Sequence, residues 1–146
     1  MPTKENKIMN SYYPKSIPIK LGAKVNFTKT IDKKDILAYA QISGDTNPLH
    51  LDHVYAKTSR FKKPIAHGML TASFISALIG TKFPRLIYLS QNLKFCKPVY
   101  IGDTITATAT VIAKKEGKEI FTLQTICTNQ DNIVVIDGTA VVMSDS

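Results

Sequence analysis

Two aspartates, two histidines, an asparagine and a proline crowd into "SGDTNPLHLDHVYA" at 43–56, and a third histidine follows in "PIAHGML" at 64–70. Carboxylates and imidazoles placed this closely can move protons near neutral pH or hold a divalent cation. Asp45, His50, Asp52, His53 and His67 are all possible ligands. However, the chain has no HExxH, no CxxC and no pair of histidines one helical turn apart on a clear helix. Pro48 discourages a helix that would carry His50 and His53 on one face. The spacing therefore argues against a metal centre.

Proton transfer fits better. Gly44 turns the chain and Pro48 sets a second turn. Between them the loop can bring the Asp45 carboxylate and the His50 imidazole to one cavity. Such a pair can hold a water, take its proton and return a proton nearby, each group contributing about 10²–10⁴-fold. Asp52 stands where it can cap the next helical stretch, "HVYAKTS", which leaves His53 in its exposed first turn. In "AHGML", His67 and Gly68 open an apolar helix whose first N–H groups lack helical partners and carry the positive end of the dipole. Those donors suit an oxyanion. Gly68 would serve equally well for close helix–sheet packing, and histidines in loops are often structural. The residues alone leave both readings open.

The elements that must position these groups are legible along the chain. Residues 1–17 form a polar tail, taken as flexible, with a single domain over 18–146. "AKVNFTKT" (23–30) alternates as a short strand, Asp32 and Asp35 open a helix, and Gly44 closes it in the left-handed conformation. "AHGMLTASFISALIG" (66–80) is apolar nearly all round, the mark of a buried helix, and is too short to span a membrane. Four β-rich runs follow: "RLIYLSQNLKFCKPV", "DTITATATVIAKKE", "KEIFTLQTICTN" and "NIVVIDGTAVVMS". Turn signals at Pro98–Gly102, Glu116–Gly117 and 129–132 separate them. A curled antiparallel sheet wrapped around one buried central helix, an α+β architecture, satisfies that order.

The bulk numbers set bounds. A chain of 146 residues makes about one domain. Its 44% hydrophobic and 21% charged fractions are ordinary for a globular protein. The net charge of +8 comes from 17 lysines and only two arginines, Arg60 and Arg85, spread along the chain. That pattern lacks the arginine forks and interleaved aromatics of nucleic-acid readers. It does suit a phosphate-bearing small molecule, and Arg60, Lys62 and Lys63 lie nearest the polar stretch. Cys96 and Cys127 read as reduced thiols, with pairing open only if their strands are neighbours. No secretory or mitochondrial leader is visible, which predicts a cytoplasmic protein.

The combination "SGDTNPLHLDHVYA … KKPIAHGML … YLSQNLKFCKPVYIGDTI" closely resembles the MaoC-like (R)-specific enoyl-CoA hydratases, which have the hot-dog fold. The resemblance spans about residues 24–143. It implies reversible syn hydration of a short- to medium-chain trans-2-enoyl-CoA to the (R)-3-hydroxyacyl-CoA. Carried over residue by residue, it makes Asp45 and His50 the catalytic pair and gives Gly68 an oxyanion-hole N–H. Asn47 and Ser76 are supporting residues, Ser76 by orienting the aspartate. The resemblance implies no metal and no organic cofactor, and a homodimer or larger homo-oligomer. Two alternatives stand beside it. One is a 3-hydroxyacyl-acyl-carrier-protein dehydratase working on a carrier-protein thioester, and the other a non-catalytic module that binds acyl thioesters. A bulky closed end to the acyl tunnel is expected from residues 77–90, with Phe83, Leu86 and Tyr88.

Overall fold

The computed structural model describes Lys4, residues 17–83 and residues 85–145. The tail expected over 1–17 lies outside the described residues except for Lys4 and Ile17.

Five strands make one antiparallel sheet: β1 (Lys24–Thr30), β2 (Leu86–Phe95), β3 (Thr104–Lys114), β4 (Ile120–Thr128) and β5 (Val134–Ser144). Their order is β1-β3-β4-β5-β2. Alternation decides which face is buried. In β3 it sinks Ile105, Ala107, Ala109 and Val111 and leaves the threonines between them half-exposed. Register carries that face across the sheet, pairing Ala107 with Phe27 on one side and with Cys127 on the other. Cys127 then pairs with Ile136. Both cysteines are free thiols, and β5 stands between their strands.

The long apolar stretch forms a helix against this face. We number the helices α1 (Lys33–Ser43), α2 (Pro48–Leu51), α3 (His53–Lys57) and α4 (Gly68–Lys82). Along α4, Leu70, Phe74, Ile75, Leu78 and Ile79 are buried, and the helix contacts β3 most extensively. The small Ala107 and Ala109 side chains allow that approach, and Phe74 meets Phe27 edge-on at 6.0 Å between ring centroids. This is the hot-dog arrangement expected from the sequence. The helix is not apolar contact all round, however: Met69, Ser73, Ser76, Ala77 and Gly80 form an exposed stripe on its outer side. Among the described residues, no helix is long and apolar enough to cross a membrane.

Local signals fix α1 as its sequence predicts. The Asp32 carboxylate accepts from the Asp35 N–H, and Asp35 returns a bond to the Asp32 N–H, a capping box. Gly44 ends the helix at φ 78° with its N–H on the Ala40 carbonyl. Pro48 behaves differently from expectation. It opens the one-turn helix α2, where the N–H it lacks would have had no partner.

One sheet position tolerates only glycine. A Cβ at Gly138 on β5 would lie 2.2 Å from the Asn92 carbonyl oxygen and 3.0 Å from Gln91 Nε2. That missing Cβ lets Gln91 reach across and donate to the Thr125 hydroxyl at 2.9 Å, so a fully buried polar group is satisfied. Gly138→Ala should therefore push β2 from β5 and strip Thr125 of its partner. The expected loss is about 1–3 kcal/mol of stability, read as a lower urea midpoint with an unchanged slope.

Candidate active site

A cavity of about 690 Å³ opens where the 43–68 segment meets the sheet. Asp45, His50, His67 and Gly68 line it, together with Thr71, Phe95, Val99, Val135 and Ile136. The segment is anchored to the connection between β2 and β3 by a bridge between Ile65 and Tyr100 and by the Ala66 N–H on the Val99 carbonyl at 2.7 Å. That anchoring sets the positions of everything on the loop.

Asp45 sits at the exposed head of the loop. Its backbone N–H donates to Ser43 Oγ at 3.1 Å, and its Oδ1 accepts from the Asn47 N–H at 3.2 Å. The latter is an Asx turn. The Asn47 side chain in turn caps α2, accepting from the Leu49 N–H at 3.0 Å. Asn47 thus steadies Asp45 through its backbone, and its side chain does not line the cavity.

His50 is half-buried on α2. Its Nδ1 lies 2.7 Å from the Ile65 carbonyl oxygen. A carbonyl can only accept, so Nδ1 carries the proton and Nε2 keeps a free lone pair. Burial lowers the His50 pKa below its ordinary 6.5. The hydrogen bond to Ile65 opposes that shift, the neighbouring His67 imidazole adds to it, and Asp45 opposes it more weakly. The net result is a neutral imidazole with a bare nitrogen, the form that can accept a proton from water.

His67 completes the cluster. It is 1% exposed, lies 4.0 Å from His50 between ring centroids, and places Nε2 2.9 Å from the Asp45 backbone oxygen. One ligand atom from each of Asp45, His50 and His67 lies within 4.8 Å of the others. Two imidazoles and a carboxylate could take a transition-metal ion, and each ring, with one nitrogen on a backbone carbonyl, keeps the other free. From the sequence His67 is a possible ligand and the opening residue of the buried helix, with no contact to Asp45 or His50 expected. Nothing local to "IAHGM" signals that it would lie against a residue 22 positions earlier.

Gly68 is the first residue of α4, and among the described residues its N–H has no protein acceptor. A Cβ there would fall 2.7 Å from Phe95 Cε1. Phe95, 53% exposed, therefore lies directly over the bare helix start. Gly68 thus offers close packing and a free donor together, rather than one in place of the other.

The remaining expectations divide. Asp52 caps α3, accepting from Val54 and Tyr55 N–H at 2.9 and 3.1 Å, and His53 is exposed beside it. Ser76 lies on the exposed stripe of α4, outside the cavity lining. The structure does not bring it to Asp45 within this chain. Of the three cationic candidates only Arg60 lines the cavity. Lys63 instead covers the Tyr100 ring at 4.3 Å. Lys97, which sequence proximity gave no reason to choose, joins Arg60 in the lining. Phe83, Leu86 and Tyr88 are likewise absent from the wall, which Val99, Val135 and Ile136 supply. Phe83 is fully buried in the core instead.

This combination of fold and site matches a known family. The model of the MaoC-like domain matches residues 16–132, and the chain belongs to that family. It is 50% identical over 127 residues to the (R)-specific enoyl-CoA hydratase of Rhodospirillum rubrum, covering 86% of this chain and 88% of that protein. It is 41% identical over 125 residues to the mitochondrial 3-hydroxyacyl-[acyl-carrier-protein] dehydratase of Arabidopsis thaliana, covering 84% of this chain and 75% of that one. Among solved structures, the (R)-hydratase of Aeromonas caviae involved in PHA biosynthesis superposes with a TM-score of 0.83 at 41% identity. That match covers 86% of this chain and 97% of the other.

Proposed function

We propose that this protein is a hydro-lyase that adds water to trans-2-enoyl-CoA to give the (R)-3-hydroxyacyl-CoA, and that it runs the reverse dehydration. The observation that carries the reading is the convergence of Asp45, His50 and the Gly68 N–H on one cavity. Asp45 and the bare Nε2 of His50 hold a water. Nε2 takes a proton as the water oxygen bonds to C3. Charge then builds on the thioester oxygen, which the free N–H at the head of α4 stabilises. A proton delivered from the same Asp45–His50 assembly to C2 closes the addition. The direct test follows loss of enoyl-thioester absorbance with crotonyl-CoA and determines the configuration of the product. An inactive protein or an (S) product would overturn the reading.

A second reading, dehydration of a 3-hydroxyacyl carrier-protein thioester, draws support from the 41% identity to the plant dehydratase. Matched CoA and carrier-protein thioesters separate the two by kcat/KM. We further place the protein in the cytoplasm, where its two free thiols would stay reduced. We read the exposed Met69–Gly80 stripe of α4 as the face of a homodimer or larger homo-oligomer, which sedimentation of a single species at monomer mass would disprove.

The pH dependence follows from His50. A lowered pKa keeps the imidazole neutral further into acid, so activity is lost only as pH falls through that lowered value. The acid limb of kcat/KM should have its midpoint below 6.5, the ordinary imidazole value. A midpoint above 6.5 would rule out His50 as the buried base.

A further inference from the structure

The proposed chemistry leaves two buried polar side chains of the cavity wall, His67 and Thr71, without a task, and of these His67 contacts the working pair. His67 is 1% exposed and lines the cavity. Its Nε2 faces the Asp45 carbonyl oxygen at 2.9 Å, so Nε2 carries the ring proton and Nδ1 is the acceptor. His50, bonded through Nδ1 to Ile65, is the opposite tautomer. The two rings lie 4.0 Å apart at 33°, and the Tyr39 ring also packs on His67 with centroids 4.8 Å apart. A buried polar ring is costly to keep, and an apolar residue would fill the same space in the core. His67 touches both halves of the pair: the backbone of Asp45 and the face of His50.

We propose that His67 is a positioning residue, whose Nε2–H fixes the Asp45 main chain while its ring holds the His50 imidazole at the angle from which Nε2 meets water. This inference rests on the reading of Asp45 and His50 as the working pair. Asp45 otherwise lies on an exposed turn, tied by bonds to Ser43 and Asn47 within its own loop. His67 provides its side-chain tie to a different element, the rigid start of α4. Displacing a reacting group by about 1 Å can cost about 10²-fold in rate. The charged and titratable groups facing His50 are Asp45 and His67, with Arg60 and Lys97 also in the cavity wall. Among these, His67 is the one that works with burial to hold the His50 pKa down.

The test compares His67→Phe, which keeps a ring against His50 without the N–H, and His67→Gln, which keeps a donor without the ring. Circular dichroism and melting curves establish that each folds. His67→Phe should lower kcat about 10²-fold with KM near that of the unaltered protein, and His67→Gln should recover part of the loss. In both, the acid limb of kcat/KM should move to higher pH, because the neighbouring imidazole that helps burial hold the His50 pKa down is gone. A packing role alone would lower stability without moving that limb. Unchanged kcat in both folded variants, or an acid limb that stays in place, would overturn the inference. If His67→Phe does not fold, the limb in His67→Gln decides. Turnover of crotonyl-CoA by the unaltered protein is measured alongside. Its absence overturns the proposed function itself, whereas unaffected variants beside an active parent overturn the role of His67 alone.

Discussion

Asp45→Asn should lower kcat for crotonyl-CoA hydration by about 10²–10⁴-fold while leaving the melting temperature within a degree or two of the parent's, the range expected for losing one placed acid–base group. The substitution keeps size and shape. It also preserves the contacts that build the turn, because an asparagine oxygen can still accept from the Asn47 N–H. The backbone oxygen that faces His67 is untouched. What disappears is the negative charge and the capacity to exchange a proton. His50→Gln should cause a loss of the same order, since the amide cannot serve as a base. The double variant should be little worse than either single one, because two groups that handle one water act as a unit. Fully multiplicative losses would mean that the two residues serve separate steps, and turnover near the parent's in Asp45→Asn would remove the proposed mechanism.

The second large effect is expected at Gly68, where geometry allows the donor and the missing side chain to be tested apart. Gly68→Pro deletes the N–H at the first position of a helix, the one place where proline is readily accommodated. The preceding His67 already has the extended ψ of 131° that a following proline demands. Losing one oxyanion donor should lower kcat about 10²–10³-fold. Both proline and alanine add a Cβ that must move the Phe95 ring, which lies 2.7 Å from that position. Since Phe95 is half-exposed at a strand end, it can swing aside at small cost. Gly68→Ala keeps the N–H and therefore serves as the control. It should lose far less activity than Gly68→Pro, with both proteins melting near the parent. Equal losses would show that Gly68 matters for space alone, and that the oxyanion is bound elsewhere.

What could be read from the sequence was local. Asp32, Asp35, Gly44 and Asp52 act on backbone groups within four residues of themselves, so their types and spacing suffice to place α1 and α3. Alternation in "TITATATV" specifies a strand and its buried face because the side-chain period is fixed at two. The pair Asp45 and His50 came from the family resemblance of the motif, and the two stand close along the chain, Asp45 in the turn after Gly44 and His50 on the one-turn helix that Pro48 opens. Even so, the one turn of helix at Pro48–Leu51 is not legible in the sequence, where a proline that breaks a helix and one that opens it at N1 look alike.

The tertiary structure decided everything that depends on strand order and register. His50 owes its tautomer to the carbonyl of Ile65, fifteen residues on, and that carbonyl is in place because Ile65 bridges to Tyr100. Sheet order sets β5 between β4 and β2, which keeps Cys96 and Cys127 apart. It also builds the cavity wall from Val135 and Ile136 rather than from the bulky residues of 77–90. Lys97 and Phe95 reach the cavity from the end of β2, and His67 reaches Asp45 from the head of α4. Sequence patterns record what a residue does to its near neighbours along the chain. Which distant side chains share a cavity is settled only when the apolar faces of sheet and helix are buried against each other, and there the pairing register leaves a single arrangement.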